Sequence, residues 1–382
     1  MIQILNKEDC CGCLACVQIY PKNCIDLKED NEGFLYPLVD AAKCIQCSLC
    51  EKVCPVINQG DERKPIEVLA AKNKNEKIRL ESSSGGIFTL MAEEILNRKG
   101  VVFGARFDSE WGVIHSYTDS SEGLAAFRGS KYLQSYIGNS FKEAKFFLEE
   151  GREVLFSGTP CQIDGLKKYL RKDYVNLHTV DFVCHGVPSP KVWKIYLAKI
   201  SKNKVDTVKR INFRSKNKGW KLFSLDIEFQ EDGNMISETL NNNPFIKIFL
   251  RDYILRPSCY KCPSKCLKGG SDVTIADYWG IDAIYPQFDD DKGVSLVMIN
   301  SEKGKSIIRP DLVSFIESNY DDAFKGNPSI EKSVRIPKNR DVFWTYLSHN
   351  RDIIKLIRQI TKTSFKKQII KFLRKVKRKL YR

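Results

Sequence analysis

The chain has 382 residues, of which 42% are hydrophobic and 29% charged, a mix that can bury a core and excludes a wholly disordered or low-complexity protein. The net charge is +15, but nine basic residues and no acidic one fall between Phe365 and Arg382. The excess therefore belongs mostly to the C-terminus, and with no reading motif beside it nucleic-acid binding is disfavoured.

Residues 1–58 hold nine of the 14 cysteines. Cys10-x-x-Cys13-x-x-Cys16 recurs 34 residues later as Cys44-x-x-Cys47-x-x-Cys50, and each triplet is followed by a proline at the same offset, Pro21 and Pro55. Between the triplets, Ile25-Asp26-Leu27, a turn at Gly33 and Phe34 to Val39 predict a short strand pair. Residues 59–66 are polar and read as a linker. Val68 to Ala71 is a strand candidate. Ser82-Ser83-Ser84-Gly85-Gly86 then opens a helix with apolar Ile87, Leu90, Met91, Ile95 and Leu96 at helical spacing, and the strand VVFGARF follows. After residue 140 the same α/β alternation returns: helix FKEAKFFLEEG, strand VLFSG, Thr159-Pro160-Cys161 opening a helix, a strand from Leu177 to Val183 ending in Cys184-His185-Gly186, and helix PKVWKIYLAKI. Val205 to Thr239 reads as β-hairpins. Cys259-x-x-Cys262-x3-Cys266 precedes the strand-like VTIADYWG, and residues 346–382 read as helical and basic. No apolar stretch approaches the roughly 18 residues of a membrane span. The N-terminus lacks the features of a signal peptide, so the expected address is the cytoplasm.

In such a chain clustered cysteines read as metal or redox groups. Three thiolates at x2 spacing wrap three corners of a cubane, and in the bacterial two-cluster pattern the cysteine before the proline serves the other cluster. Cys10, Cys13, Cys16 and Cys54 are thus expected to hold one 4Fe–4S cluster, and Cys44, Cys47 and Cys50 three corners of a second. The fourth ligand of the second is not in its usual place, because Tyr20 stands before Pro21. Cys24 substitutes, or the cluster is a 3Fe–4S or labile form, or it is absent; Cys24 ranks first, with Cys11 also spare. Two zinc knuckles are the alternative, though the doubled x2 spacing is unusual for zinc.

With that repeat followed by SSSGGIFTLMAEEIL, GSKYLQSYIG, SGTPCQIDGLKKYL, FVCHGVPSP, RPSCYKCP and DVTIADYWGI, the chain resembles the family of coenzyme F(420) hydrogenase and dehydrogenase beta subunits, in its bacterial form with a fused ferredoxin domain. The resemblance covers about residues 1–345 and implies an iron–sulfur flavoprotein oxidoreductase that carries FAD. It also favours a third 4Fe–4S cluster on Cys161, Cys184, Cys259 and Cys262, with Cys266 as the spare; zinc on that loop is the alternative. In its light, Ser82, Ser83, Ser84, Gly85 and Gly86 at a helix N-terminus suit a pyrophosphate, or form a plain serine cap. Lys131, Gly158, Thr159 and Asp277 are further candidates for flavin contact, with Trp279 beside them. His185 is a candidate proton donor, with a histidine hydrogen-bonded at a strand end as the simpler role.

The expected fold is α+β: a ferredoxin-like two-cluster domain (1–58), a linker (59–66), an α/β flavin-binding region with inserted hairpins in two parts (67–150 and 151–345), and a basic helical tail (346–382). The amphipathic stretch 365–382 would rest on an anionic membrane surface or dock an acidic partner. The expected function is electron transfer between a ferredoxin-like redox partner, the chain's own clusters and FAD, to reduce or oxidise a small molecule or a deazaflavin-type coenzyme. The alternatives are a non-catalytic electron-transfer component of a larger complex and, more remotely, a zinc-stabilised interaction protein.

Overall fold

The computed structural model describes residues 1–20, 24–230, 233–349 and 352–361. Pro21 and the basic stretch 365–382 lie outside the described residues. Among the described residues no helix is long and apolar enough to cross a membrane.

An eight-stranded mixed sheet organises the chain, in the order Val313–Glu317, Glu67–Asn73, Ser295–Ile299, Val273–Asp277, Leu177–Phe182, Val154–Gly158, Val101–Phe107, Val113–Thr118. The four strands from Val273–Asp277 to Val101–Phe107 run parallel. The flanking strands pair antiparallel. Parallel neighbours need crossovers, and helices supply them: Ser140–Glu149 lies between Val101–Phe107 and Val154–Gly158 in the chain, and Pro160–Leu170 between Val154–Gly158 and Leu177–Phe182. Strands covered on both faces read as continuous apolar runs, which is the pattern of Val101, Val102 and Phe103 and of Val154, Leu155 and Phe156, all fully buried.

The expected hairpins form a separate antiparallel sheet of Val208–Ser215, Ser224–Phe229 and Met235–Thr239. Its ladder slips between Asn212 and Ser215. Bulges re-aim side chains, and Arg214 lies in this one. Helices Pro190–Ile200, Pro244–Phe249, Arg340–Ser348 and Ile353–Thr361 pack with this sheet around Trp193, Phe213, Phe245 and Phe343.

The N-terminal strand pair forms as Ile25–Glu29 against Leu35–Val39, with Gly33 at φ +83° in its turn. The cysteine-rich segment does not stand apart. Cys11, Cys13, Cys16, Cys50 and Cys54 share one core with Phe103, Phe141, Phe156, Ile163 and Leu166 of the main sheet and its helices. Residues 59–65 have no regular structure, yet Arg63 reaches the carbonyl of Asn300 at 3.2 Å and its N–H donates to the carbonyl of Cys266 at 3.0 Å.

Candidate functional site

The two cysteine triplets are wound alike. Gly12 and Leu14 have φ of +72° and +61°; their counterparts 34 residues on, Gln46 and Ser48, have +53° and +56°. Each loop then enters a short helix, Ala15–Ile19 or Leu49–Lys52. Left-handed backbone at Leu14, Gln46 and Ser48 costs of order 1 kcal/mol each and persists only where the surroundings enforce it. The same winding places Tyr20 where the repeat has Cys54. The Tyr20 hydroxyl donates to the Lys43 carbonyl at 3.3 Å and accepts from the Ile45 N–H at 3.0 Å, so it anchors the second cysteine loop. The Cys24 thiol adjoins it and pushes its pKa up to about 12.

The thiols fall into three neighbouring sets. Burial pushes the Cys16 thiol pKa far up, and the nearby sulfurs of Cys10, Cys54 and Cys50 add to it. Cys13 adjoins Cys11, which in turn adjoins Cys161. Burial raises Cys184, with Cys259, Cys161 and Cys262 close enough to contribute. Burial likewise lifts Cys259 to about 12. Cys266 is set apart; burial raises it, and its charged neighbours are Glu62, Glu331, Lys268 and Lys64. Several sulfurs receive hydrogen bonds: from the Ile2 N–H to Cys50 at 3.4 Å, from the Val187 N–H to Cys259 at 3.4 Å, and from Arg256 to Cys10 at 3.4 Å. Among the described residues no three or more cysteine, histidine or carboxylate groups converge tightly enough to ring a single metal ion. A cubane is several ångströms across and takes more widely set thiolates.

A cavity of about 540 Å³ opens where the parallel strands end. Open α/β sheets bind ligands beyond the carboxyl ends of their strands, and Gly158, Asp181 to Cys184 and Ile275 to Asp277 lie there. Ser82, Ser83, Ser84, Gly86, Lys131, Gly158, Thr159, His185 and Asp277 all line it, and so does Cys184. Gly85 does not: a Cβ there would run into the Ala71 carbonyl and the Ser295 N–H, so this glycine serves close packing on the sheet.

The serine turn is not the plain serine cap that was the alternative expectation. Gly86, at φ +81°, caps the helix Ile87–Asn97, and no side chain caps it. The Ser82 and Ser84 hydroxyls donate to the carbonyls of Ile78 and Val294 at 2.7 and 2.8 Å. The Ser83 hydroxyl accepts from the Ser130 N–H at 2.7 Å. These hydroxyls shape the wall from behind. Thr159 and Gln162 form a reciprocal capping box on Pro160–Leu170, the arrangement that satisfies a helix N-terminus without a ligand.

Asp277 is held by the Arg214 guanidinium at 2.6 and 3.0 Å and by the Trp220 indole N–H at 2.7 Å. Trp220 stacks on Trp279 at 4.9 Å. Lys131 spends two N–H groups on the carbonyls of Arg128 and Gly129, and burial lowers its pKa to about 7. His185 bonds Asp252 through Nε2 at 2.6 Å and sits edge-on to Phe249.

Two lining residues had no local signal in the sequence. Burial raises the Asp181 carboxyl to about 7; its Oδ1 accepts from Thr274 at 2.5 Å and its Oδ2 has no partner. Burial lowers His115 to about 4; its Nε2 meets the Ser157 carbonyl at 3.0 Å and its Nδ1 has no partner. A largely apolar hollow with a few convergent polar atoms, two of them buried and unpaired, fits a planar heterocyclic cofactor.

Comparison with known proteins adds the following. Residues 151–312 match the family model described as coenzyme F(420) hydrogenase/dehydrogenase, beta subunit (C terminus). The F subunit of the F(420)H(2) dehydrogenase from Methanosarcina mazei is 22% identical over 169 residues, 42% of this chain and 48% of that protein. A coenzyme F(420)-dependent sulfite reductase of Methanocaldococcus jannaschii is 26% identical over 215 residues, 55% of this chain and 33% of that protein. The matched region thus spans about half of the first relative and a third of the second. A chain of the F(420)-reducing [NiFe] hydrogenase complex from Methanosarcina barkeri aligns with a TM-score of 0.47 and 15% identity, over 78% of this chain and 92% of that one. Over residues 151–312 the chain is thus similar to the C-terminal part of coenzyme F(420) hydrogenase/dehydrogenase beta subunits.

Proposed function

We propose that the chain is an iron–sulfur flavoprotein oxidoreductase. Cys10, Cys13, Cys16 and Cys54 hold one 4Fe–4S cluster, and Cys44, Cys47, Cys50 and Cys24 a second, within a ferredoxin-type domain over residues 1–58. Cys161, Cys184, Cys259 and Cys262 hold a third, and FAD occupies the cavity. One observation carries this: the thiol sets form a row, linked by Cys50 near Cys16 and by Cys11 between Cys13 and Cys161, that ends on Cys184 in the cavity wall.

When bound, clusters supply one-electron transfer and a flavin exchanges one or two electrons, so together they join single-electron carriers to hydride acceptors. The chain's own residues bind, shield and tune. The N–H groups on Cys50 and Cys259 and the guanidinium on Cys10 stabilise charge on sulfur. Lys131, the Arg214–Asp277 pair, Asp181 and His115 line the cavity and would place polar side chains beside a bound heterocycle. His185, oriented by Asp252, is a proton donor to a bound substrate. The one-electron partner is a ferredoxin-like protein. The hydride partner is a small molecule or a deazaflavin coenzyme, the class named for the Methanosarcina and Methanocaldococcus relatives.

Protein purified without oxygen should carry flavin and iron together, and dithionite should bleach both sets of absorption bands; iron without flavin in fully loaded protein would refute the proposal. The Methanosarcina mazei relative is named as one component of a dehydrogenase, which favours a second reading, an electron-transfer component that needs a partner to do chemistry. Reductase turnover by the isolated chain with a reduced viologen separates the two, since such a component would give none.

A further inference from the structure

Four arginines are buried among the described residues: Arg79, Arg214, Arg256 and Arg340. A guanidinium stays protonated in proteins, and a buried charge is tolerated only when it is paired. Three of the four meet this demand with a carboxylate. Arg79 pairs with Asp290 at 2.8 Å, Arg214 with Asp277 at 2.6 Å, and Arg340 with Glu32 at 2.7 Å.

Arg256 is the exception. It is 1% exposed, and its Nε donates to the Cys10 carbonyl at 2.7 Å, its Nη1 to Gln134 Oε1 at 2.8 Å, and its Nη2 to the Leu35 carbonyl at 3.0 Å and the Cys10 sulfur at 3.4 Å. The ring of Tyr36 lies 4.4 Å from the guanidinium. No carboxylate among the described residues forms an ion pair with it. Two carboxylates that act electrostatically on Tyr36 are already engaged, Asp30 by Lys7 and Glu32 by Arg340. What surrounds this cation instead is sulfur: Cys10, Cys11 and Cys259 are its electrostatic neighbours. Close approach is also built in, since a Cβ on Gly12 would come within 2.8 Å of Arg256 Nη1.

We infer that Arg256 is the counter-cation of the anionic cluster held by the Cys10 set, and a positioning residue that raises the reduction potential of that cluster and of the one on the Cys259 set. A fixed positive charge favours the reduced state, which carries one more electron. This role rests on the cluster reading proposed above.

The test uses the full chain, loaded with clusters anaerobically, in EPR-monitored redox titrations of wild type, R256K, R256Q and Q134E. Q134E keeps the arginine and places a carboxylate on its Nη1, so it remains informative where R256Q loads poorly. The expected result is a fall in at least one cluster midpoint in R256Q and Q134E by a tenfold or greater change in the reduction equilibrium, which is about 59 mV for one electron. R256K should restore most of the wild-type value, as a merely structural role would not require. Unchanged midpoints in Q134E, or in fully loaded R256Q, would overturn the inference. Wild-type protein that binds no iron would instead overturn the cluster assignment itself, so the two failures are distinguishable.

Discussion

The Arg214–Asp277 pair on the cavity wall is the sharpest place to weigh charge against packing. The Arg214 side chain is 4% exposed and the Asp277 side chain 14%. D277A removes two charge-assisted hydrogen bonds from Arg214, at 2.6 and 3.0 Å, and the acceptor for Trp220 at 2.7 Å. The guanidinium then keeps only neutral partners, the Tyr132 hydroxyl and the Ser83 carbonyl. Breaking a buried pair from one side costs about 3–5 kcal/mol, most of it the uncompensated charge left behind. The Trp220 bond belongs to the same network and does not add in full. D277A should therefore lose about 4 kcal/mol. Replacing both partners by apolar residues of similar volume removes the orphan charge, so R214M/D277L should recover at least half of the loss. Anaerobic guanidinium denaturation followed by tryptophan fluorescence reads both. A loss below about 1 kcal/mol in D277A, or a double variant no more stable than the single one, would refute the assignment of Asp277 as the counter-ion.

Three other outcomes are expected. Burial raises Asp181 from 3.8 to about 7, so between those values the unfolded chain binds fewer protons than the folded one; stability should fall with rising pH across that window by up to about 1.4 kcal/mol per pH unit, and D181N should flatten the slope in denaturation series at fixed ionic strength. A Cβ on Gly165 would lie 2.9 Å from both Cβ and Sγ of Cys13; the helix-propensity gain of about 1 kcal/mol from G165A is outweighed by overpacking of about 1–3 kcal/mol, and iron analysis should show loss of about a third of the metal. C24S should lower iron at the second set and leave a 3Fe–4S EPR signal, whereas C11S should leave the iron content unchanged; equal effects from both would remove Cys24 as the fourth ligand.

What could be read ahead of the structure was local. The Gly33 hairpin and the apolar runs around Phe103 and Phe156 each declare themselves within a dozen residues, and each takes the form its patterning implies; the two cysteine triplets declare themselves as a repeat and are wound alike. The antiparallel flanks were harder. Ser295–Ile299 is a wholly buried run that periodicity alone does not distinguish from a helix, and Val313–Glu317 is a half-polar edge strand. The charged parts of the site depend on partners far along the chain. Arg214 meets Asp277 63 positions away, Asp181 meets Thr274 93 positions away, and Arg256 meets Cys10 246 positions away. No local spacing encodes such pairs. The serine turn shows what spacing leaves out: the Ser82 and Ser84 hydroxyls are bonded to the carbonyls of Ile78 and Val294, partners that no local pattern names.

Iron, acid-labile sulfide and flavin counted per chain in protein purified without oxygen bear most directly on the row of thiols leading to the cavity. The expected composition is about twelve iron, about twelve sulfide and about one FAD, from three cubanes and one flavin. A colourless protein holding zinc in place of iron and sulfide would contradict it.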